Sequence, residues 1–104
     1  MVQKVNYFDE TMTETGTASS QVYIRNELGL HARPAAILAK EAGKFDSTIQ
    51  LILEDSAVDA KSVLDILSLA AVQGKTITIQ AAGPDAQTAV SHLERFFLEG
   101  FGEG

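Results

Sequence analysis

Apolar residues fall into short blocks of two different periods. In residues 21–25, Gln21-Val22-Tyr23-Ile24-Arg25, polar and apolar side chains alternate, as in a strand with one buried face. Residues 48–53 repeat the pattern with Ile49, Leu51 and Leu53 on one side, and residues 76–80 alternate strictly with Ile77 and Ile79 inward. Val58 and Ala60 fit a short partner strand after a turn at Glu54-Asp55-Ser56. Helical periods lie between these strands. Residues 32–42 place Ala35, Leu38, Ala39 and Ala42 on one face, and Gly43 suits the stop. Residues 62–69 predict a short helix, followed by a turn at Gln73-Gly74. Gly83-Pro84-Asp85 opens a last helix whose Ala86, Ala89, Val90, Leu93 and Phe97 share a face. Pro and Asp both suit a helix start.

The resulting order is βαββαβα. The strands oppose a polar side (Tyr23, Arg25, Gln50, Thr76, Thr78) to the apolar one. A sheet covered on one side only is usually antiparallel. The pattern therefore predicts an α+β open-faced sandwich, a four-stranded antiparallel sheet covered on one face by three helices. Residues 1–20 break the pattern. They are rich in Thr, Ser and acids, with few apolar residues after Phe8, and are expected to form a flexible arm ahead of a domain spanning 21–104. Phe96, Phe97 and Phe101 are expected to cluster and close the core or cap its edge.

Composition mostly excludes. The length of 104 residues allows one domain. With no cysteine, a disulfide framework and thiolate metal sites are ruled out, which suits a reducing cytoplasm. Eight basic and 14 acidic residues give a net charge of −6, which argues against nucleic acid as a partner. No apolar run approaches the roughly 20 residues of a membrane span, and the first residues lack the features of a signal peptide. His31 and His92 are the two histidines; with no carboxylate at ligand spacing they predict no metal site. No glycine-rich nucleotide loop occurs, so no cofactor is expected. His92 is expected on the surface of the last helix.

The chemistry concentrates in Gly29-Leu30-His31-Ala32-Arg33-Pro34-Ala35. A histidine stands just before an amphipathic helix, and Pro34 occupies the first turn, where its missing N–H costs nothing. The free N–H groups of that helix, Ala32's included, and its positive dipole end favour an anion beside His31. Arg33 adds a planar, permanently charged phosphate ligand. An imidazole nitrogen is a competent nucleophile. These residues describe a histidine that accepts a phosphoryl group; the bland alternative is a polar residue at a helix start. Arg33, Lys40 and Lys44 lie along one side of the helix, a local positive stripe on an acidic chain that would steer an acidic partner surface. Ser62-x-x-Asp65 resembles a capping box, so Ser62 has a structural role whether or not it is modified.

The run from Asn26 to Ala36, Asn-Glu-Leu-Gly-Leu-His-Ala-Arg-Pro-Ala-Ala, resembles the active-site signature of the HPr family. These are the histidine-containing phosphocarriers of the bacterial phosphoenolpyruvate-dependent phosphotransferase system. Lys61-Ser62-Val63-Leu64-Asp65-Ile66-Leu67-Ser68-Leu69 is similar to that family's regulatory serine segment, and the βαββαβα order is the family's order. The resemblance implies that His31 is phosphorylated on Nδ1 and that Arg33 stabilises the phosphate. It implies Ser62 as a regulatory site for a serine kinase, with Val63, Leu64 and Lys40 on the docking face, to which the residue pattern itself adds Lys44 and Ile37. The implied partners are an enzyme I-type kinase and an EIIA-type acceptor, and the chain is expected to be a cytoplasmic monomeric carrier, not an enzyme. Leu28, the Asn-x-Leu-Gly-x-His spacing and Gly100-Phe101-Gly102-Glu103 look like the nitrogen branch, NPr; Lys61-Ser62 and the helix after it suit ordinary HPr. Two other readings stay open: a regulator acting through docking and Ser62 without transport, and an adaptor that shares only the fold.

Overall fold

The computed structural model describes residues 16–103. Four strands, β1 (Gly16–Tyr23), β2 (Thr48–Leu53), β3 (Ser56–Asp59) and β4 (Thr76–Gly83), form one sheet. Three helices, α1 (Ala32–Ala42), α2 (Val63–Ser68) and α3 (Ala86–Leu98), are followed by a 3-10 turn at Gly100–Gly102. The order is βαββαβα, as the periodicity predicts. In space the strands run β1-β4-β2-β3, every neighbouring pair antiparallel, so the last strand lies between the first and second.

Alternation decides which face of the sheet is covered. Val22, Ile49, Leu51, Ile77, Ile79 and Ala81 point inward and are buried. They meet Ala35, Leu38 and Ala42 of α1, Ile66 of α2, and Ala89, Val90, Leu93 and Phe97 of α3 in one core. At roughly 25 cal/mol per Å² of apolar surface, that shared burial is the main stabilising contribution. Gln21, Tyr23, Gln50, Thr76 and Gln80 stand on the uncovered face.

The structure corrects four expectations. First, β1 begins at Gly16, inside the segment predicted to be an arm, and pairs with β4 from Gly16↔Gly83 to Tyr23↔Thr76. Thr17, Ser19 and Ser20 carry no apolar period, yet ladder hydrogen bonds use backbone groups and need none. Ser20 also donates its hydroxyl to Oε2 of Glu94 at 2.7 Å. Residues 1–15 of the expected arm lie outside the described residues.

Second, Asp85 stands at the N-cap of α3 but makes no side-chain bond to its own helix. Its carboxylate instead accepts the N–H groups of Asp46 and Ser47, each at 2.9 Å, and the Ser47 hydroxyl. These bonds, the hydroxyl first, hold its carboxyl below the usual range. The loop before β2 is thereby tied to the start of α3. Gly83 allows the approach: a Cβ there would lie 2.7 Å from Ser47 Cα.

Third, the aromatic cluster divides. Phe97 and Phe101 meet edge to face at 5.0 Å, whereas Phe96 turns away to His92 at 5.4 Å. Fourth, His92 is half-buried, its ring between Phe45 and Phe96 and its Nε2 2.6 Å from Oε1 of Glu41. It links α3 to α1. Lys44 joins the same carboxylate at 3.0 Å.

The His92 hydrogen bond, then that of Lys44, holds the Glu41 carboxyl below its ordinary 4.5. A carboxyl lowered in the folded state binds fewer protons there than in the unfolded chain, so stability falls as acid is added. The contribution is complete well above pH 4.5 and is lost as pH falls through the depressed value. Urea unfolding across this range should show a flatter acid limb in Glu41→Gln; an unchanged limb would show that the pair adds nothing.

Candidate functional site

The connection from β1 to α1 is held at several points. Ile24 donates its N–H to Lys75 O, and Gly74 donates to Ile24 O, both at 3.0 Å. Leu30 donates to Ala71 O at 3.0 Å and buries its side chain in the core. Gly29 has φ +69, and a Cβ there would overlap the Ala71 carbonyl oxygen. Only glycine meets both demands without strain. His31 therefore leaves a fixed loop.

His31 is the N-cap of α1, with extended φ −78 and ψ −169, and its side chain does not cap the helix. Its carbonyl accepts the N–H of Ala35 at 3.0 Å. The N–H groups of Ala32 and Arg33 precede the first helical bond, so neither has an intrahelical acceptor. Pro34 has no N–H to leave unpaired and is buried.

The ring of His31 is one-third exposed. Among the described residues its hydrogen bonds run through Nε2, which lies 2.9 Å from Oε2 and 3.2 Å from Oε1 of Glu103. Glu103 arrives there because the chain reverses after α3. Gly100, Phe101 and Gly102 all have left-handed φ, at 61°, 57° and 74°. That conformation costs a non-glycine residue about 1–2 kcal/mol, and the buried Phe101 ring against Phe97 offsets it. Gly102 donates to Glu99 O and Glu103 to Gly100 O, closing the turn. Asn26 then donates from Nδ2 to Oε1 of Glu103 at 2.8 Å and to Gly29 O at 2.7 Å.

The Asn26 hydrogen bond most of all, with that of His31 and the charges of His31 and Arg33, holds the Glu103 carboxyl below its ordinary range against desolvation. An ionised carboxylate only accepts, so Nε2 of His31 carries the proton. In the neutral ring the lone pair then sits on Nδ1, the atom that the family resemblance implies. Arg33 is exposed and lines an open recess of about 290 Å³ with Glu27, Leu28 and Glu103. The site thus gathers an oriented imidazole, a helix N-terminus and a guanidinium.

The second histidine is a useful contrast. His92 also has Nε2 on a carboxylate and is exposed to a similar degree. It lies inside α3, where backbone N–H groups are engaged in helical bonds, and its neighbours are two phenyl rings. A helix N-terminus contributes about 0.3–1 kcal/mol to a bound anion, and a charged hydrogen bond about 1.5–3 kcal/mol. His31 alone has both within its neighbourhood.

The docking residues predicted from sequence divide. Lys40 is exposed, Ile37 is half-buried against the core, and Lys44 is engaged by Glu41, so the basic stripe is interrupted. Val63 and Leu64 are exposed on α2, and so are Leu67, Leu28 and Val72, the last two missed by periodicity because they lie in loops. Ser62 accepts the Asp65 N–H at 3.2 Å and so caps α2. Half of the capping box is absent: the Asp65 carboxylate accepts from Asp59 N, not from Ser62. Asn26 and Glu103 were not predicted as site residues. They are 77 residues apart, and no spacing signal joins them.

Residues 18–99 match the family described as PTS HPr component phosphorylation site. The phosphocarrier protein HPr of Mycoplasma capricolum is 39% identical over 82 residues, covering 79% of this chain and 92% of that protein. HPr of Cupriavidus necator is 43% identical over 81 residues, covering 78% and 91%. The crystal structure of HPr-C-His from Thermoanaerobacter tengcongensis superposes with a TM-score of 0.80 at 37% identity, covering 84% of this chain and 98% of that one. The chain belongs to the HPr family of the phosphotransferase system, a group of phosphocarriers that relay a phosphoryl group instead of catalysing a reaction of their own. No helix among the described residues is long and apolar enough to cross a membrane.

Gly29→Ala should destabilise the fold by about 2 kcal/mol or more, from positive φ and the collision at Ala71 together. Denaturant unfolding checks it, and an unchanged midpoint would show that the loop can shift freely.

Proposed function

We propose that His31 is the phosphoryl acceptor of this carrier and that Nδ1 is the atom phosphorylated. The observation that carries this reading is the Nε2 bond to Glu103, which keeps the lone pair on Nδ1. In transfer, a P–N bond forms at Nδ1 as the bond between phosphorus and the donor's histidine breaks. Arg33 and the N–H groups of Ala32 and Arg33 take up the phosphoryl charge, so the step rests on positioning and electrostatics. The proton stays on Nε2, hydrogen-bonded to Glu103 throughout, and that carboxylate stabilises the positive charge which develops on the ring.

The donor is an enzyme I-type kinase charged by phosphoenolpyruvate, and the acceptor is an EIIA-type protein, both met in the cytoplasm. Leu64 and Lys40, exposed on neighbouring helices, support a docking face beside His31, with Val63, Ile37 and the Glu41-paired Lys44 at its border. Ser62, the cap of α2, precedes Val63 and Leu64 in the chain, which supports including it in that face. A phosphate there would meet a favourable helix end but would also sit near the Asp65 carboxylate.

Enzyme I and labelled phosphoenolpyruvate should label the native protein and His92→Gln alike, and leave His31→Ala unlabelled. Label retained in His31→Ala would overturn the assignment. Ser62→Asp, which places a charge on the docking face, should slow phosphoryl uptake by roughly tenfold, the size of a charged mismatch of about 1.4 kcal/mol. Equal rates would remove Ser62 from any regulatory role.

A further inference from the structure

We infer that Asn26 is a positioning residue for phosphoryl transfer, acting through Glu103 to hold the Nε2-protonated form of His31. The inference deepens the proposed acceptor role of His31 and rests on it.

Three observations carry the argument. Asn26 is 1% exposed, which is unusual for an amide, and its two donated bonds go to Glu103 Oε1 and Gly29 O. Its Oδ1 is buried and has no partner among the described residues. Turning the amide over would still leave Oδ1 unpaired, because it would then face a carboxylate and a carbonyl, two acceptors, and both donated bonds would be lost. The amide orientation is thus set by the need to hold Glu103 and the Gly29 turn together. Finally, residues 100–102 bring Glu103 back through three left-handed residues, with Phe101 as anchor. One amide therefore ties the loop that presents His31 to the segment that orients its ring.

The chemical consequence is specific. A carboxylate free to swing could accept from either nitrogen of the imidazole. Clasped by Asn26, it accepts only from Nε2. The share of neutral His31 with its lone pair on Nδ1 then depends on a residue that never touches phosphorus. Outer partners that orient a histidine in this way commonly matter by tenfold or more.

The test uses the full chain labelled with 15N and two-bond proton–nitrogen spectra of the imidazoles, with His92 as the reference for an intact fold. In the native protein neutral His31 should show a single Nε2–H form. Asn26→Ala and Glu103→Ala should each give a mixture of both forms and slow phosphoryl uptake from enzyme I by roughly tenfold. The double variant should be no slower than either single one. In Asn26→Ala the Glu103 carboxyl should also titrate closer to its ordinary 4.5. Asn26→Asp keeps the shape but loses both donors, and should behave as Ala does. A native spectrum in Asn26→Asp would assign Asn26 to packing alone and overturn the inference. If Asn26→Ala fails to fold, Glu103→Ala still decides, because it leaves the Gly29 contact in place; unmoved spectra and rates there overturn the inference. In each of those failures His31 still takes up label, whereas label retained in His31→Ala would sink the acceptor reading itself.

Discussion

The close approach of Gly29 to the chain at Ala71 is the constraint on which the site depends. It forces a left-handed residue, admits no side chain, and brings the Leu30 N–H onto the Ala71 carbonyl. Leu30 is then driven into the core while His31, the next residue, faces outward. An imidazole in a long flexible connection would lose much of its advantage to conformational entropy. Here the loop is fixed at both ends before α1 begins, so the backbone donors of the first turn and the ring have a constant relation. The sheet provides the platform, and the site is assembled at one of its ends.

Charge follows the same economy. The chain is acidic, yet both histidines are paired with carboxylates and only one of them stands at a helix start. Glu103 meets the ring of His31 at Nε2. Glu41 does the same to His92, where the result is a tie between two helices. Similar pairings thus stand at a helix start in one place and between two helices in another, and the difference lies in the surrounding backbone.

The surface next to the site is a mixture. Leu28, Leu64 and Val72 expose apolar side chains in a chain that buries most of its others. Isolated exposed residues of this kind are ordinary, and Leu28 lies in the same recess as Arg33 and Glu103. Lys40 adds charge, while Lys44 is partly neutralised by Glu41. A modest, interrupted surface of this kind fits the transient docking proposed for the carrier better than a continuous one.

Much of this was legible in the sequence. Period-2 and helical patterns marked the four strands and three helices, because each buries one face against a shared core, but not the 3-10 turn at Gly100–Gly102. The bounds of α1 and β2 followed directly from that pattern. Gly29-Leu30-His31-Ala32-Arg33-Pro34 declared its chemistry through local geometry: a helix start, a cation and a nucleophile within one turn. The start of β1 was illegible, since residues 16–20 pair through backbone bonds that leave no hydropathy signal. Asp85 looked like a local cap but serves a loop 38 residues away. Asn26, Glu103 and the Glu41–His92 tie were equally hidden. Sequence by itself determined the architecture and singled out His31 as the candidate acceptor, because both readings depend on neighbours along the chain. Only the tertiary structure revealed the bonds from Asn26 and His31 Nε2 to Glu103, because hydrogen bonds between distant side chains have no period to read.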